Sequence, residues 1–143
     1  MIFNNMLTLT HLARRSYDHV ITPVCARHNI TRMELDVLLF LANNPDRDTA
    51  AELISLRGLT KSHVSAAVTG LAMRGLLARS HRDGNRKTVH LTLLPAAAQV
   101  IADGQAAQQQ LAQAIIAGFS QQELEVLNEA TGRIIENMRA VLD

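Results

Sequence analysis

The chain has 143 residues, a formal net charge of +1 at pH 7 and one cysteine, which fits a single compact domain and excludes an intrachain disulfide and a cysteine-based zinc cluster. Apolar residues make up 48% of the sequence but aromatic residues only 3%, so we expect an aliphatic core of packed helices. Because no apolar run approaches the roughly 20 residues that cross a bilayer and the first ten residues lack the layout of a signal peptide, we expect a cytoplasmic protein without contact with a membrane.

Residues 1–30 are expected to be helical, and three further helix starts are indicated by capping boxes. In this motif the hydroxyl of the first residue accepts a hydrogen bond from the backbone amide three residues later. The glutamate at that later position accepts one in return from the amide of the first residue. The three capping boxes are Thr31 with Glu34, Thr49 with Glu52, and Ser120 with Glu123. Pro45 is expected to end the first of these helices, and Gly58 the second.

The next predicted helix is capped by Thr60, runs to about Arg74 and has two different faces. One face is apolar and carries Val64, Ala67, Val68 and Leu71. The opposite face carries short side chains, namely Ser62, Ser65, Ala66 and Thr69, flanked by His63 and Gly70. Short side chains allow close approach to a groove, whereas a helix that only faces solvent more usually carries Glu, Lys and Gln. We therefore interpret this helix as one that enters a DNA groove.

A β-hairpin is predicted after Gly75, with strands over residues 76–81 and 88–93 and a basic tip over residues 82–87. Two helices joined by a tight glycine turn and followed by a hairpin with a cationic tip are the parts of a winged helix-turn-helix. We assign residues 31–93 to this unit and expect double-stranded DNA as its partner.

Charge is concentrated in the same region. The segment from Arg57 to His90 contains seven cations and one anion, a net charge of +6, while the remainder of the chain carries −5. The cations are Arg57, Lys61, Arg74, Arg79, Arg82, Arg86 and Lys87. Cations release condensed counterions from duplex DNA, so such a segment suits a phosphate-binding surface. A solvent-exposed surface without a ligand could carry the same net charge. The charge count alone therefore does not distinguish a DNA-binding surface from an ordinary solvated one.

The flanking segments, residues 1–30 and 94–143, are predicted to be a helical dimerisation part. Pro95 is suited to open the helix that follows the hairpin, and the last helix repeats apolar residues at spacings of three and four, as a coiled-coil seam does. The expected interface residues are Leu7, Leu12, Leu111, Ile115, Leu124, Leu127, Ile134, Met138 and Val141. Packing within one chain is the alternative, but a protein that binds two half-sites requires a two-fold homodimer.

The motifs taken in series resemble those of the multiple antibiotic resistance regulator (MarR) family over nearly the entire chain. The matching segments are 31–38, 51–53 with 59–65, 70–79 and 89–92. The resemblance implies a single MarR-like domain over residues 1–143, mainly α-helical with a small β-hairpin. It further implies a homodimeric transcription regulator at a pseudo-palindromic operator, a repressor or sometimes an activator, that is often controlled by a small aromatic or phenolic effector or by oxidation.

We predict thirteen DNA-binding residues from three observations: the face of short side chains on the Thr60 helix, the basic segment and the resemblance to the MarR family. They are Thr60, Lys61, Ser62, His63, Ser65, Ala66, Thr69, Arg79, Arg82, Asp83, Asn85, Arg86 and Lys87. Two features depart from the family pattern. Ala66 stands where a bulkier polar or basic residue is common, and the wing reaches Leu91 about one residue early. Arg86 is assigned the minor-groove contact, with Asp83 orienting its guanidinium.

Other functions have little support in the sequence. No nucleophile with a base, phosphate-binding glycine loop or paired carboxylates occur at a recognisable spacing, so we expect no enzyme. Neither a cofactor nor a metal is predicted, although His81 and His90 could face each other across the hairpin, and Cys25 is interpreted as a bystander thiol. The alternative from another class is a winged helix that binds a protein without reading DNA.

Overall fold

The computed structural model describes residues 1–143 and consists of six α-helices and one two-stranded antiparallel sheet. In chain order the elements are α1 (Ile2–His28), α2 (Arg32–Asn43), α3 (Ala50–Arg57), α4 (Lys61–Met73), β1 (Leu77–Arg82), β2 (Asn85–Leu93), α5 (Ala98–Ile115) and α6 (Gln121–Leu142). The predicted fold class, mainly α with a small hairpin, is confirmed. None of the helices combines the length and the apolar character that a membrane span requires.

All three predicted capping boxes are formed. In the first, the Thr31 hydroxyl accepts a hydrogen bond from the Glu34 amide at 3.1 Å and the Glu34 carboxylate accepts one from the Thr31 amide at 3.1 Å. The same reciprocal pairs open α3 and α6. Thr60 occupies the N-cap position of α4, but its side chain makes no capping hydrogen bond, so the predicted side-chain cap is wrong there. Pro95 opens a short 3₁₀ turn directly before α5.

The chain divides into two compact units, residues 1–109 and residues 110–143. The first contains α1 to α4, the hairpin and most of α5. The second contains the end of α5 and α6, joined by a turn in which Gly118 has a φ of 87°. No residue of α6 is buried.

The core of the first unit is built around α2, in which six of the twelve residues are buried. This helix contacts α1, α4 and β2. Two glycines allow neighbouring helices to approach it closely. A Cβ atom on Gly70 of α4 would lie 3.1 Å from Glu34 Oε2, and one on Gly104 of α5 would lie 2.8 Å from Leu39 Cδ2. Helix α4 therefore packs on the core through its buried face, where Gly70 leaves room for the Glu34 carboxylate.

The hairpin pairs Leu77 with Leu93 and Ser80 with His90. Its turn consists of Asp83 and Gly84 alone, both with positive φ, as in the two-residue turns that match the twist of antiparallel strands. The predicted six-residue tip is therefore wrong, because the strands continue further toward the turn. His81 also does not face His90, since Ser80 takes that position in the ladder.

Candidate nucleic-acid interface

The helix-turn-helix consists of α3, a short turn and α4. Gly58 ends α3 with a φ of 62°, a left-handed conformation that glycine adopts without steric cost. Helix α4 buries Val64, Ala67, Val68 and Leu71 against the core. Its other face exposes Lys61, Ser62, His63, Ser65 and Ala66, and Thr69 is half-buried. The two faces predicted from helical periodicity are therefore the buried and the exposed faces of the folded helix.

A groove of about 480 Å³ runs between α3, α4 and the hairpin. Its apolar floor includes Ile54, Val64 and Val89, and the cations that line it are Lys61, Arg79 and Lys87. No acidic residue lines the groove. A concave surface with cations of three different elements and no carboxylate attracts polyanions.

The seven cations of the basic segment fall into two groups. Three are engaged within the fold. Arg74 donates to the backbone carbonyls of Asn29 at 2.7 Å and His28 at 3.0 Å, Arg57 lies over the Phe40 ring at 5.5 Å, and Arg82 pairs with an aspartate outside the segment.

The second group comprises Lys61, Arg79, Arg86 and Lys87, which form no ion pair in the chain. Within this group, Arg79 donates a hydrogen bond of 3.4 Å to Thr69 Oγ1. All four side chains are exposed. The cationic surface available to a ligand is thus smaller than the net charge of the segment suggests.

The aspartate that binds Arg82 is Asp48, which sequence reasoning missed. Its Oδ2 accepts a hydrogen bond from Arg82 Nη2 at 2.9 Å, and both of its carboxylate oxygens lie 3.2 Å from His90 Nδ1. No sequence pattern marks this residue, because its partners lie 34 and 42 positions away.

The tip of the wing is organised by Asn85. Its Oδ1 accepts hydrogen bonds from the backbone amides of Lys87 at 3.0 Å and Thr88 at 3.4 Å, and its Nδ2 donates to Thr88 Oγ1 at 3.1 Å. Asp83 forms no ion pair with Arg86, so the structure shows no contact through which Asp83 would orient the Arg86 guanidinium. Its place in the turn, with a φ of 52°, accounts for a short polar residue at that position.

A second cavity, of about 390 Å³, lies within the first unit between α1, α2, the end of α3 and α5. It is lined by aromatic and charged side chains, among them Tyr17, Asp36, Phe40, Arg57 and Gln108. Gln108 Nε2 lies 2.9 Å from the Tyr17 hydroxyl oxygen, to which it donates a hydrogen bond. Burial raises the pKa of both Tyr17 and Asp36. Arg57 has no carboxylate partner here.

Comparisons with known proteins give a consistent result. The MarR family model matches residues 28–87. The transcriptional regulator PA3341 has a similar structure, with a TM-score of 0.80 and 24% identity over 96% of this chain and 98% of that one. A MarR family transcriptional regulator from Listeria monocytogenes, solved with 26mer DNA, superposes with a TM-score of 0.80 and 16% identity over 93% of this chain and 87% of that one.

Staphylococcus aureus MarR in complex with salicylate and kanamycin also has this architecture, with a TM-score of 0.76 and 20% identity over 98% of this chain and 94% of that one. None of the curated proteins matches the sequence. The chain has the winged-helix fold of the MarR family. The predicted resemblance to the MarR family is thereby confirmed for the fold and for residues 28–87.

Within this MarR fold, the predicted DNA-binding residues gather around the exposed face of α4 and the wing. Helix α4 and the strands bring Lys61, Ser65, Arg79 and Lys87 around one groove. Asp83 lies in the turn of the wing, and Asn85, the first residue of β2, bonds the backbone that follows it. Arg82 faces Asp48.

The two groups of arginines in this MarR fold should differ in their effect on stability. We expect Arg74→Met to lower the free energy of unfolding by about 1–2 kcal/mol, because Arg74 bonds two carbonyls at the end of α1. Arg86→Met is the matched control and should change it by less than about 0.5 kcal/mol. Urea denaturation followed by circular dichroism measures both. Equal stability of the two variants would contradict the conclusion that Arg74 is engaged within the fold while Arg86 is not.

Proposed function

We propose that this chain is a transcription regulator of the MarR family that binds duplex DNA as a homodimer and acts as a repressor at a pseudo-palindromic operator. Helix α4 enters the major groove, and the wing contacts the neighbouring backbone or minor groove. The observation that carries the proposal is the exposed face of short side chains on α4, next to the groove lined by Lys61, Arg79 and Lys87.

The side chains of α4 and the wing differ in the DNA groups that they can contact. Ser62, Ser65 and Thr69 offer hydroxyl groups to base edges, and their small size lets the helix backbone come close to the groove floor. Ala66 adds an apolar contact of the kind that suits a thymine methyl group. Lys61 and His63 lie at the start of α4 and reach bases or phosphates. The wing cations Arg86 and Lys87 contact phosphates or the minor groove and contribute affinity for every sequence.

A homodimer is supported by the exposed apolar residues of the three long helices. Leu127 is 48% exposed, Ile134 37%, Met138 50% and Val141 85%, and these residues, with Thr131 between the first two, repeat along one side of α6 at spacings of three and four. Leu7 of α1 and Ile115 of α5 are likewise more than half exposed. A dimer would bury these side chains and hold two α4 helices about 34 Å apart, one turn of DNA.

Control by a small aromatic carboxylate is supported by the 390 Å³ cavity. Its volume suits a small ligand. Tyr17 and Phe40 line it with aromatic rings, each of which already contacts an arginine, and Arg57, which lacks a carboxylate partner, offers a charged hydrogen bond. The related S. aureus MarR was solved with salicylate. Such a ligand would release DNA if it bound more tightly to dimers in which the two α4 helices are not one DNA turn apart. Binding would then increase the population of dimers that do not fit the operator.

The DNA proposal is tested with the duplex that flanks the chain's own gene. Wild-type protein should bind it with an affinity that falls steeply with salt, and Ser65→Glu should abolish binding because a carboxylate then faces the groove floor and phosphates. Thr22→Glu adds the same charge on α1 and should retain binding. Fluorescence anisotropy at several salt concentrations measures both. Binding that is absent or indifferent to salt would favour the protein-interaction alternative, and unchanged affinity of Ser65→Glu would remove α4 from the reading role.

The dimer is tested on the apolar side of α6. Ile134→Asp should produce monomers and weaken binding to an operator with two half-sites, because a charge in an apolar interface costs several kcal/mol. Gly132→Asp is the matched control, since Gly132 lies on the opposite side of α6 and a Cβ there has nothing within 4 Å. Sedimentation velocity gives the oligomeric state. A dimeric Ile134→Asp variant would exclude this face from the interface.

The effector site is tested with salicylate as the probe. At about 100 times its Kd, a ligand that binds only the folded state stabilises it by about 2.7 kcal/mol, so thermal unfolding should shift upward and DNA affinity should fall. Arg57→Met should lose both responses, while Arg27→Met, an exposed variant outside the cavity, should keep them. A response of equal size in Arg57→Met would place the ligand elsewhere.

A further inference from the structure

Asp48 precedes α3 and lies outside both the hairpin and α4, yet it contacts the wing at three points. Its side chain binds Arg82 at the end of β1 at 2.9 Å and faces His90 of β2 at 3.2 Å. Its backbone carbonyl accepts a hydrogen bond of 2.7 Å from the Leu91 amide, and the next residue, Thr49, forms an isolated bridge with His90. The segment before α3 therefore runs along the outer side of β2 like a short third strand.

The side-chain contact reaches the part of the wing that lies beyond an irregularity in the strand ladder. The register of the hairpin shifts between Ser80 and Arg82, and beyond the shift the ladder continues with the pair Arg82 and Asn85, which flanks the turn. The wing tip is therefore joined to the rest of the ladder across an irregularity, and such irregularities bend a strand locally. Asp48 spans this irregularity, because it holds Arg82 on the far side of it and His90 on the near side.

The Asp48 side chain is ionised near neutral pH. Desolvation opposes ionisation, but the hydrogen bond with His90 and the charges of His90 and Arg82 outweigh it and hold the pKa of Asp48 below its ordinary value. The pair with Arg82 is open to solvent, with side-chain exposures of 61% for Arg82 and 34% for Asp48. Such exposed pairs contribute little to global stability, so the contact is better suited to orienting a local element.

We propose that Asp48 is a positioning residue that holds the wing in its DNA-binding orientation, and that Arg82 acts through Asp48 rather than on a phosphate. The inference rests on the proposed DNA-binding function. A wing that is already ordered does not lose conformational entropy when Arg86 and Lys87 meet the DNA backbone. Arg82 was grouped with the direct DNA contacts on sequence grounds, and this proposal reassigns it.

Simple electrostatics and the positioning role predict opposite signs for the loss of Asp48. Removing an anion beside a DNA-binding surface should tighten binding, whereas removing a positioning residue should weaken it. We expect Asp48→Ala to weaken DNA binding about three- to tenfold. Asp46→Ala is the matched control, because Asp46 lies in the same segment, is exposed and forms no ion pair. This control should bind as well as wild type or slightly more tightly.

A double-mutant cycle with Arg82 separates positioning from direct contact. Arg82→Ala should weaken binding by no more than Asp48→Ala, which also loses the His90 contact. The double variant should be no weaker than Asp48→Ala, because both single changes break the same Asp48–Arg82 contact. The salt dependence of binding should stay as in wild type for these variants, while Arg86→Ala should lower its slope by about 1. Tighter binding by Asp48→Ala, additive losses, or a lowered slope in Arg82→Ala would overturn the proposal.

Two measurements keep the test independent of folding and of the proposed function. Asp48→Asn retains an acceptor of the same shape and should recover part of the lost affinity, and trypsin should cleave after Arg86 and Lys87 faster in Asp48→Ala than in Asp46→Ala. Equal cleavage in these two variants would contradict the positioning role. If wild-type protein fails to bind DNA, the proposed function fails. If wild type binds and Asp48→Ala binds more tightly, only this inference fails.

Discussion

Burial of α2 is the constraint on which the arrangement of the first unit depends. Leu35, Leu38 and Leu39 are at most 2% exposed, and apolar burial of this extent is the main favourable term in folding. Close contact extends this constraint to its neighbours, since Gly70 brings α4 against Glu34 and Gly104 brings α5 against Leu39. Because α4 is held from its buried side, its opposite face is presented as a rigid surface, which a reading helix requires.

Positive charge in this protein serves two purposes that composition does not separate. Arg74 donates hydrogen bonds to backbone carbonyls at the end of α1, and Arg57 lies over an aromatic ring. These cations therefore contribute to the fold. Lys61 and Lys87 line a groove without an acidic residue, where their charge remains available to an anion. The net charge of a segment therefore overstates the surface that can release counterions from DNA.

The reading helix and the wing are supported differently. Helix α4 rests on the core through its buried face, whereas the hairpin extends beyond the core, and its outer residues from Ser80 to Lys87 are all exposed. A two-stranded hairpin alone is marginally stable in water. The backbone of Asp48 and Thr49 adds pairing along β2, so the orientation of the wing depends on a segment that precedes the helix-turn-helix.

Local interactions within this chain could be predicted from the sequence because they join residues three or four positions apart. The capping boxes at Thr31, Thr49 and Ser120 and the two faces of α4 are of this kind, and the order of these elements indicated the winged-helix fold. Only the tertiary structure decided which cations remain free, since Arg82 and Arg74 find partners 34 and 45 positions away. Such contacts depend on how the elements pack, and no spacing along the sequence encodes them.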